Sequence, residues 1–446
     1  MKHEGTIPLI VGEVFVDFTI LASGVENKMR LGGVVHAARA FWATNTPYAV
    51  AAFLPDYLED SAKDYLARFG CEQFFKLGTI TGALNVIIIS DVTEVADQGY
   101  EILLRDAKSV DHTPAALMGD LSRFDLALVI PGTYDVAAVL QLLPEEVQIV
   151  LDAAYDVDAV NSIEDLPRKI DTLIISTSSK LFRSEFTSNF ETFAKRFSAL
   201  SPQAVILKEN RGGCRAYLSA SGQTLNVPAY LGKTVSSVGV GDALDATYVS
   251  FLRVNRTEAV WRGAQVASCY AQTTDPDLFK EYVRRELALT MEELSALPGA
   301  FLPWEERPKH HIYLAAPDFT TVKRTAIDCA LSALNYHNCF VRRPVKENGE
   351  LPQGSGWSIL NATYHQDVAL LESCDLVFAV PTDKDPGTLV EIGIAIAQKI
   401  PVVVYDPQEE CPNTMVMAGA WTYSRSLDEC LNGVFDALSQ RRDRQP

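Results

Sequence analysis

Cys374–Tyr405, CDLVFAVPTDKDPGTLVEIGIAIAQKIPVVVY, is the stretch from which the fold is read. Leu376–Val380 is a short apolar run of the kind that forms a strand buried on both faces. A turn follows at Pro381–Gly387, and Thr388 is expected to open a helix whose Leu389, Ile392, Ala395 and Ile396 recur at helical spacing. Lys399 closes that helix, and Pro401–Tyr405 reads as the next parallel strand. In such a βαβ unit the loop at the carboxyl end of the strand is where open α/β sheets place ligands. Asp385 and Glu391 stand on that loop and the first helical turn. Thr388-Leu-Val-Glu391 also has the form of a capping box, in which Glu391 would serve only the amide of Thr388.

Outward from this unit, the chain is too long for one hydrophobic core. At 446 residues it implies two domains. Hydrophobic content of 48% with 22% charged residues is that of a globular protein. A net charge of −18 repels nucleic acid and anionic membranes, so neither is expected as a partner. No run has the length of a membrane-spanning helix and the first residues do not form a signal peptide, so a cytoplasmic location is expected. The 8 cysteines are scattered without a Cys-x-x-Cys and read as reduced thiols. The 7 histidines show no metal-ligand spacing, and adjacent His310 and His311 cannot share a helix face.

In chain order, Ile7–Ile20 begins as a buried strand, with Gly12 expected to break it. Asp17 inside this apolar run is costly unless it meets something polar. Gly32-Gly33 precede a helix beginning near Val34 and would let backbone amides approach a ligand. Leu84–Ser90 and Tyr100–Arg105 have the alternation of a hairpin. From Phe124 the pattern becomes regular, with strands at Leu126–Ile130, Gln148–Asp152, Thr172–Ser176 and Ala204–Lys208 separated by helical stretches. That alternation predicts a parallel sheet covered on both faces. Gly239-Val-Gly-Asp242 then opens a helix, and amides at a helix N-terminus suit a phosphate. Asp242 stands either as the cap of that helix or where it would accept a proton from a hydroxyl. The dinucleotide fingerprint is excluded because position 244 is Leu, and a P-loop because Gly232-Lys-Thr lacks its leading Gly. Pro298, Pro303 and Pro308 mark a linker. A second set of α/β elements follows it, from the strand His311–Ala315 and a helix at Thr321–Ala333 to the βαβ unit quoted first.

The motifs GEVFVD (Gly12, Asp17), LGG (Gly32, Gly33), the hairpin and GVGDALDA resemble those of the ribokinase/PfkB family of sugar and nucleoside kinases over most of residues 5–275. The resemblance implies Asp242 as general base, with the amides of Gly239, Val240 and Gly241 holding the transferring phosphoryl group. It also implies a sugar held by Asp17, Gly32, Gly33 and His36, the hairpin as a small β lid, and ATP with Mg²⁺ as cofactors. Several positions depart from that family. His36 replaces its usual Asn, STSSKLFR at Ser176–Arg183 lacks its Asn-x-x-Glu, and Leu207-Lys-Glu-Asn replaces its Thr-x-Gly.

The last part of the chain resembles the nucleoside 2-deoxyribosyltransferase family. Tyr313, Asp367, Asp385, Glu391 and Asn413 occur in the family's order. The resemblance implies Glu391 as nucleophile at the anomeric carbon and Tyr313 as the group that orients it. Asp367 and Asp385 would contact the sugar or protonate the leaving base, with no cofactor, and an Asn would be supplied by a neighbouring subunit of a homo-oligomer. Only Lys323 and Arg324 stand near the first strand where nucleotide-acting relatives carry a phosphate loop, so an unphosphorylated nucleoside is expected.

The expected architecture is α/β with two doubly wound parallel-sheet domains. Residues 1–300 would be a ribokinase-like domain with a small β lid, and 308–446 a smaller flavodoxin/Rossmann-like domain. The expected function is bifunctional nucleoside salvage, with nucleoside, pentose and nucleobase as small-molecule partners. In this reading the second domain cleaves or exchanges the N-glycosidic bond and the first phosphorylates a pentose or nucleoside. The alternative makes the first domain a non-catalytic binding or assembly module.

Overall fold

A computed structural model describes residues 7–20, 28–114, 119–154, 157, 159–319, 322–352 and 354–443. The chain divides into two compact units, one ending at Pro298 and the other built from Gly299 onward together with Glu94–Asp97 and Leu231–Lys233. No described helix is long and apolar enough to cross a membrane.

The first unit is organised on the strand Leu9–Thr19. Gly12 does not break it; its first half pairs in parallel with Tyr48–Leu54 and with Leu126–Val129. Its second half leaves those neighbours and pairs antiparallel with Lys28–Gly33 and parallel with Val86–Ile89. Val86–Ile89 in turn pairs antiparallel with Glu101–Ile102, so the expected hairpin belongs to a small β layer growing from the same strand. On the other side of Leu126–Val129 the sheet continues through Gln148–Asp152, Thr172–Ser176 and Ala204–Lys208, all parallel. Cys214–Leu218 and Gln223–Val227 close that edge antiparallel. Nearly every residue of the parallel strands is buried, as apolar runs covered by helices on both faces require. Asp152, Ser176 and Lys208 are the last residues of three adjacent parallel strands.

The second unit has five parallel strands in the order Phe340–Arg342, His311–Ala315, Leu376–Ala379, Val402–Tyr405, Thr422–Ser424. In chain order this is 2-1-3-4-5, a doubly wound arrangement that reverses direction beside His311–Ala315. Successive side chains of that strand alternate between two cores. Ile312 and Leu314 join Phe378 and Val403 on one face, and Tyr313 and Ala315 join Val377 and Val404 on the other. The helix expected at Thr321–Ala333 runs Thr325–Tyr336, and Thr321 lies outside the described residues.

The proline-rich segment read as a linker packs into this unit. Ala300 and Leu302 lie in its core, and Arg307 is fully buried. The Arg307 guanidinium donates to the carbonyls of Leu302 (3.1 Å) and His337 (3.2 Å) and lies 5.0 and 4.9 Å from the rings of Trp304 and Phe435. Arg307→Ala would strand two buried acceptors and open a void, costing about 3 kcal/mol. Urea titration followed by circular dichroism should show that loss as a lowered midpoint.

Candidate functional site

In the first unit, the helix Val240–Leu252 is capped by Gly239, whose φ of 85° suits a residue without a side chain. Asp242 is therefore the third residue of the helix and not its cap. Burial first, then the charge of Asp152, raises the Asp242 carboxyl to about 7, against the opposing pull of Lys208. Asp17 is buried and lies directly on Gly32, where a Cβ would fall 2.0 Å from its Oδ1. Gly33 caps the helix Val34–Ala43 that carries His36.

Two side chains already meet Asp17. His36 Nε2 lies 2.9 Å from Asp17 Oδ2, and His36 Nδ1 lies 2.7 Å from the hydroxyl of Tyr270. Burial lowers the His36 pKa in spite of Asp17, so the ring is neutral at pH 7. A neutral ring facing a carboxylate donates from Nε2 and accepts the Tyr270 hydroxyl proton at Nδ1. Arg30 comes second: its Nε is 3.4 Å from Asp17, and its Nη2 donates to the Val238 carbonyl at 3.2 Å. Nothing in KMRLGG marks Arg30 as a site residue, because Val238 lies far off in sequence.

Around the start of the helix Val240–Leu252, one oxygen from each of Asp152, Asp242 and Asp245 falls within 4.8 Å of the others. The Lys208 ammonium enters this cluster, 3.1 Å from Asp152 Oδ2 and 3.0 Å from Asp245 Oδ2. The STSSKLFR stretch adds no carboxylate; Ser179 instead caps the helix Lys180–Glu185. Nearby, fully buried Glu209 receives Arg215 through two bonds of 2.6 and 2.9 Å. The residues present therefore do not fit a Mg²⁺ held by the protein, since a lysine already engages two of the three carboxylates that would bind it, Asp152 and Asp245.

In the second unit the helix runs Pro386–Ala397 and starts two residues earlier than the sequence suggested. Asp385 is its N-cap, accepting the amide (2.7 Å) and the hydroxyl (2.8 Å) of Thr388, and Pro386 fills the first helical position. Glu391 is thus released from any capping box. Its Oε1 accepts the hydroxyl of Tyr313 at 2.5 Å. Burial raises the Glu391 carboxyl to about 7; the Tyr313 bond opposes the rise, while the charges of Asp367 and Asp385 add to it. Burial and the neighbouring Glu391 charge push the Tyr313 phenol well up, so it remains a donor.

Asp367, on the helix Trp357–Glu372, accepts a 2.7 Å bond from Asn348. Asn413 is exposed and caps the helix Thr414–Gly419 through the amide of Met415. Arg324, expected as a weak phosphate ligand, is tied to buried Asp318, which also receives Arg343 at 2.7 Å. Asp318 and Asn348 escape sequence reading because each sits in a loop without periodicity.

Residues 312–423 match the family model of nucleoside 2-deoxyribosyltransferase. The matched span contains Tyr313, Asp367, Asp385, Glu391 and Asn413. Comparison with curated proteins gives no match. Among solved structures, the chain is similar to a ribokinase from Arabidopsis thaliana complexed with ribose and ATP. That likeness has 15% identity, covers 64% of this chain and 100% of that one, and has a TM-score of 0.46. It is also similar to a pyrophosphate-dependent kinase of the ribokinase family, at 13% identity, 63% and 100% coverage and a TM-score of 0.49. A nucleoside kinase from Methanocaldococcus jannaschii gives 11% identity, 63% and 99% coverage and a TM-score of 0.44.

The separation of Asp385 as cap from Glu391 as partner of Tyr313 has a direct test. Asp385→Ala should cost about 1 kcal/mol of stability. Glu391→Gln should cost nothing above pH 7. The raised Glu391 pKa contributes stability that is complete below the unfolded value of 4.5 and lost as pH rises through about 7. Melting curves of both variants at pH 5 and pH 8 check the two expectations.

Proposed function

We propose that the second unit, which carries the deoxyribosyltransferase match, cleaves or exchanges the N-glycosidic bond of a nucleoside with Glu391 as nucleophile. The reading is carried by the 2.5 Å bond from the Tyr313 hydroxyl to Glu391. A carboxylate fixed by one donor keeps its second oxygen for an electron-poor anomeric carbon, as glycoside chemistry of the retaining type requires. The carbon–nitrogen bond breaks as the Glu391 oxygen–carbon bond forms, and a carboxyl group such as Asp367 delivers the proton to the departing base. Water or a second base then releases the sugar from Glu391. Arg324, held by Asp318, offers no open phosphate site, which supports an unphosphorylated nucleoside. Asn413 would be offered to a neighbouring copy in a homo-oligomer, an arrangement supported by its exposure beside Met415, which is 79% exposed.

The first unit is read as transferring a phosphoryl group from ATP to a hydroxyl of a pentose or nucleoside. Asp242 would take the hydroxyl proton while the acceptor oxygen–phosphorus bond forms and the bond to the leaving nucleoside diphosphate breaks. An acid raised to about 7 in the first turn of a helix suits that role. A second reading, a binding or assembly module without catalysis, is favoured by the engagement of Asp17 with His36 and Arg30 and of Glu209 with Arg215.

Chromatography of full-length protein incubated with nucleosides tests the first reading. Glu391→Gln should lower base release by more than about 10³-fold. In the wild type, release should fall as pH drops below about 7, because the ionised Glu391 is the reactive form. A variant that retains wild-type turnover would remove Glu391 from the chemistry. Mass spectrometry after incubation with ATP and a panel of pentoses and nucleosides separates the two readings of the first unit. Phosphorylated product that falls roughly 10²–10⁴-fold in Asp242→Asn supports transfer. A panel without product supports the module.

A further inference from the structure

We propose that His36 makes the first unit select a deoxypentose over a pentose with its full set of hydroxyls, by holding the Asp17 oxygen that a vicinal diol would need. The proposal rests on the pentose-acceptor reading of that unit and names the class of pentose. Asp17 stands on the strand Leu9–Thr19, His36 on the helix Val34–Ala43 and Tyr270 on the helix Arg256–Ala271, so three separate elements bring these side chains together. All three are buried, at 2%, 2% and 3% exposure.

A carboxylate captures a vicinal diol with both of its oxygens, one for each hydroxyl. In Asp17 one oxygen is already committed. His36 Nε2 lies 2.9 Å from Oδ2 and Arg30 Nε lies 3.4 Å from the same atom, while Oδ1 faces the backbone of Gly32. The ring is held on that oxygen from two further sides. Its Nδ1 accepts the Tyr270 hydroxyl at 2.7 Å, and that hydroxyl in turn receives Arg39 at 3.3 Å. A Cβ at Gly239 would overlap Cγ and Nδ1 of the ring, so the backbone of the glycine turn closes the other side. A second sugar hydroxyl entering here has two courses. It displaces the imidazole, breaking the bonds to Asp17 and Tyr270 together, or it lies buried without an acceptor. A sugar that lacks this hydroxyl asks nothing of Oδ2 and leaves the ring in place.

A histidine that only ties two helices to a strand would give the same distances, so the test reads sugar choice and not stability. Calorimetric titration of full-length protein with 2-deoxyribose and with ribose provides it. The wild type should bind 2-deoxyribose about tenfold or more tighter than ribose. His36→Asn, too short to reach Oδ2, should bring the two sugars within about threefold of each other by improving ribose. His36→Gln, whose amide reaches as far as Nε2, should keep the preference. Both variants lose the same packing on the glycine turn, so a merely structural histidine would move them alike. Circular dichroism monitors folding, and His36→Ser replaces the Asn variant if that one loses its native spectrum. Any sugar held by the second unit is common to wild type and variants and drops out of the comparison. A wild type that prefers ribose, or binds the two sugars equally, overturns the proposal. So does a preference that survives in His36→Asn or vanishes in His36→Gln. Absence of binding by either sugar overturns it together with the pentose reading of the unit. Mass spectrometry of the same proteins with ATP separates the proposal from phosphoryl transfer. A His36-dependent preference without phosphorylated product removes transfer and keeps the selection. Equal phosphorylation of ribose and 2-deoxyribose removes the selection and keeps transfer.

Discussion

A carboxylate withdrawn from water costs several kcal/mol unless a donor or a cation meets it, and both units meet that demand at the carboxyl ends of parallel strands. Strands buried on both faces leave little room for charge along their length. Ionisable groups are displaced to the ends, where the chain turns and amides, hydroxyls and ammonium groups are available. Asp152 with Lys208 in the first unit illustrates the rule. Tyr313 shows a variant of it, reaching from within its strand across one face to Glu391 on a covering helix.

The two sites satisfy their buried acids differently. Glu391 is met by one neutral hydroxyl, which fixes its orientation and leaves its charge unneutralised. Asp17 is met by a neutral imidazole and by a guanidinium, so it is satisfied before any ligand arrives. A hydroxylated ligand at Asp17 must therefore exchange one set of hydrogen bonds for another. That contrast is why the geometry of the second unit supports a reaction more directly than that of the first.

Much of this was legible from residues. Gln148–Asp152, Thr172–Ser176 and Ala204–Lys208 are read to the residue, because doubly buried strands are short apolar runs bounded by polar ends. Tyr48–Leu54, YAVAAFL, is equally buried but lies among alanine-rich helical sequence, where an apolar run of that length has no distinguishing period. The start of the Glu391 helix is misplaced because Asp385-Pro386-Gly-Thr388 offers two capping residues. Proline's preference for the first helical position is what decides between them. Arg30 and Lys208 are invisible for another reason. A cation is ordinary on any surface, and its meaning here comes from partners 13 to 56 residues away or more, which only the fold brings near.

The alternation along His311–Ala315 couples two properties usually treated apart. Ile312 and Leu314 fill one core while Tyr313 turns to the other face toward Glu391. A slip of one residue would exchange the faces, placing a phenol in the first core and an isoleucine against the carboxylate. The register of this one strand is thus a single coordinate shared by hydrophobic burial and by the positioning of the acid. A loop substitution can touch one of these properties alone, but a shift of this strand surrenders both at once.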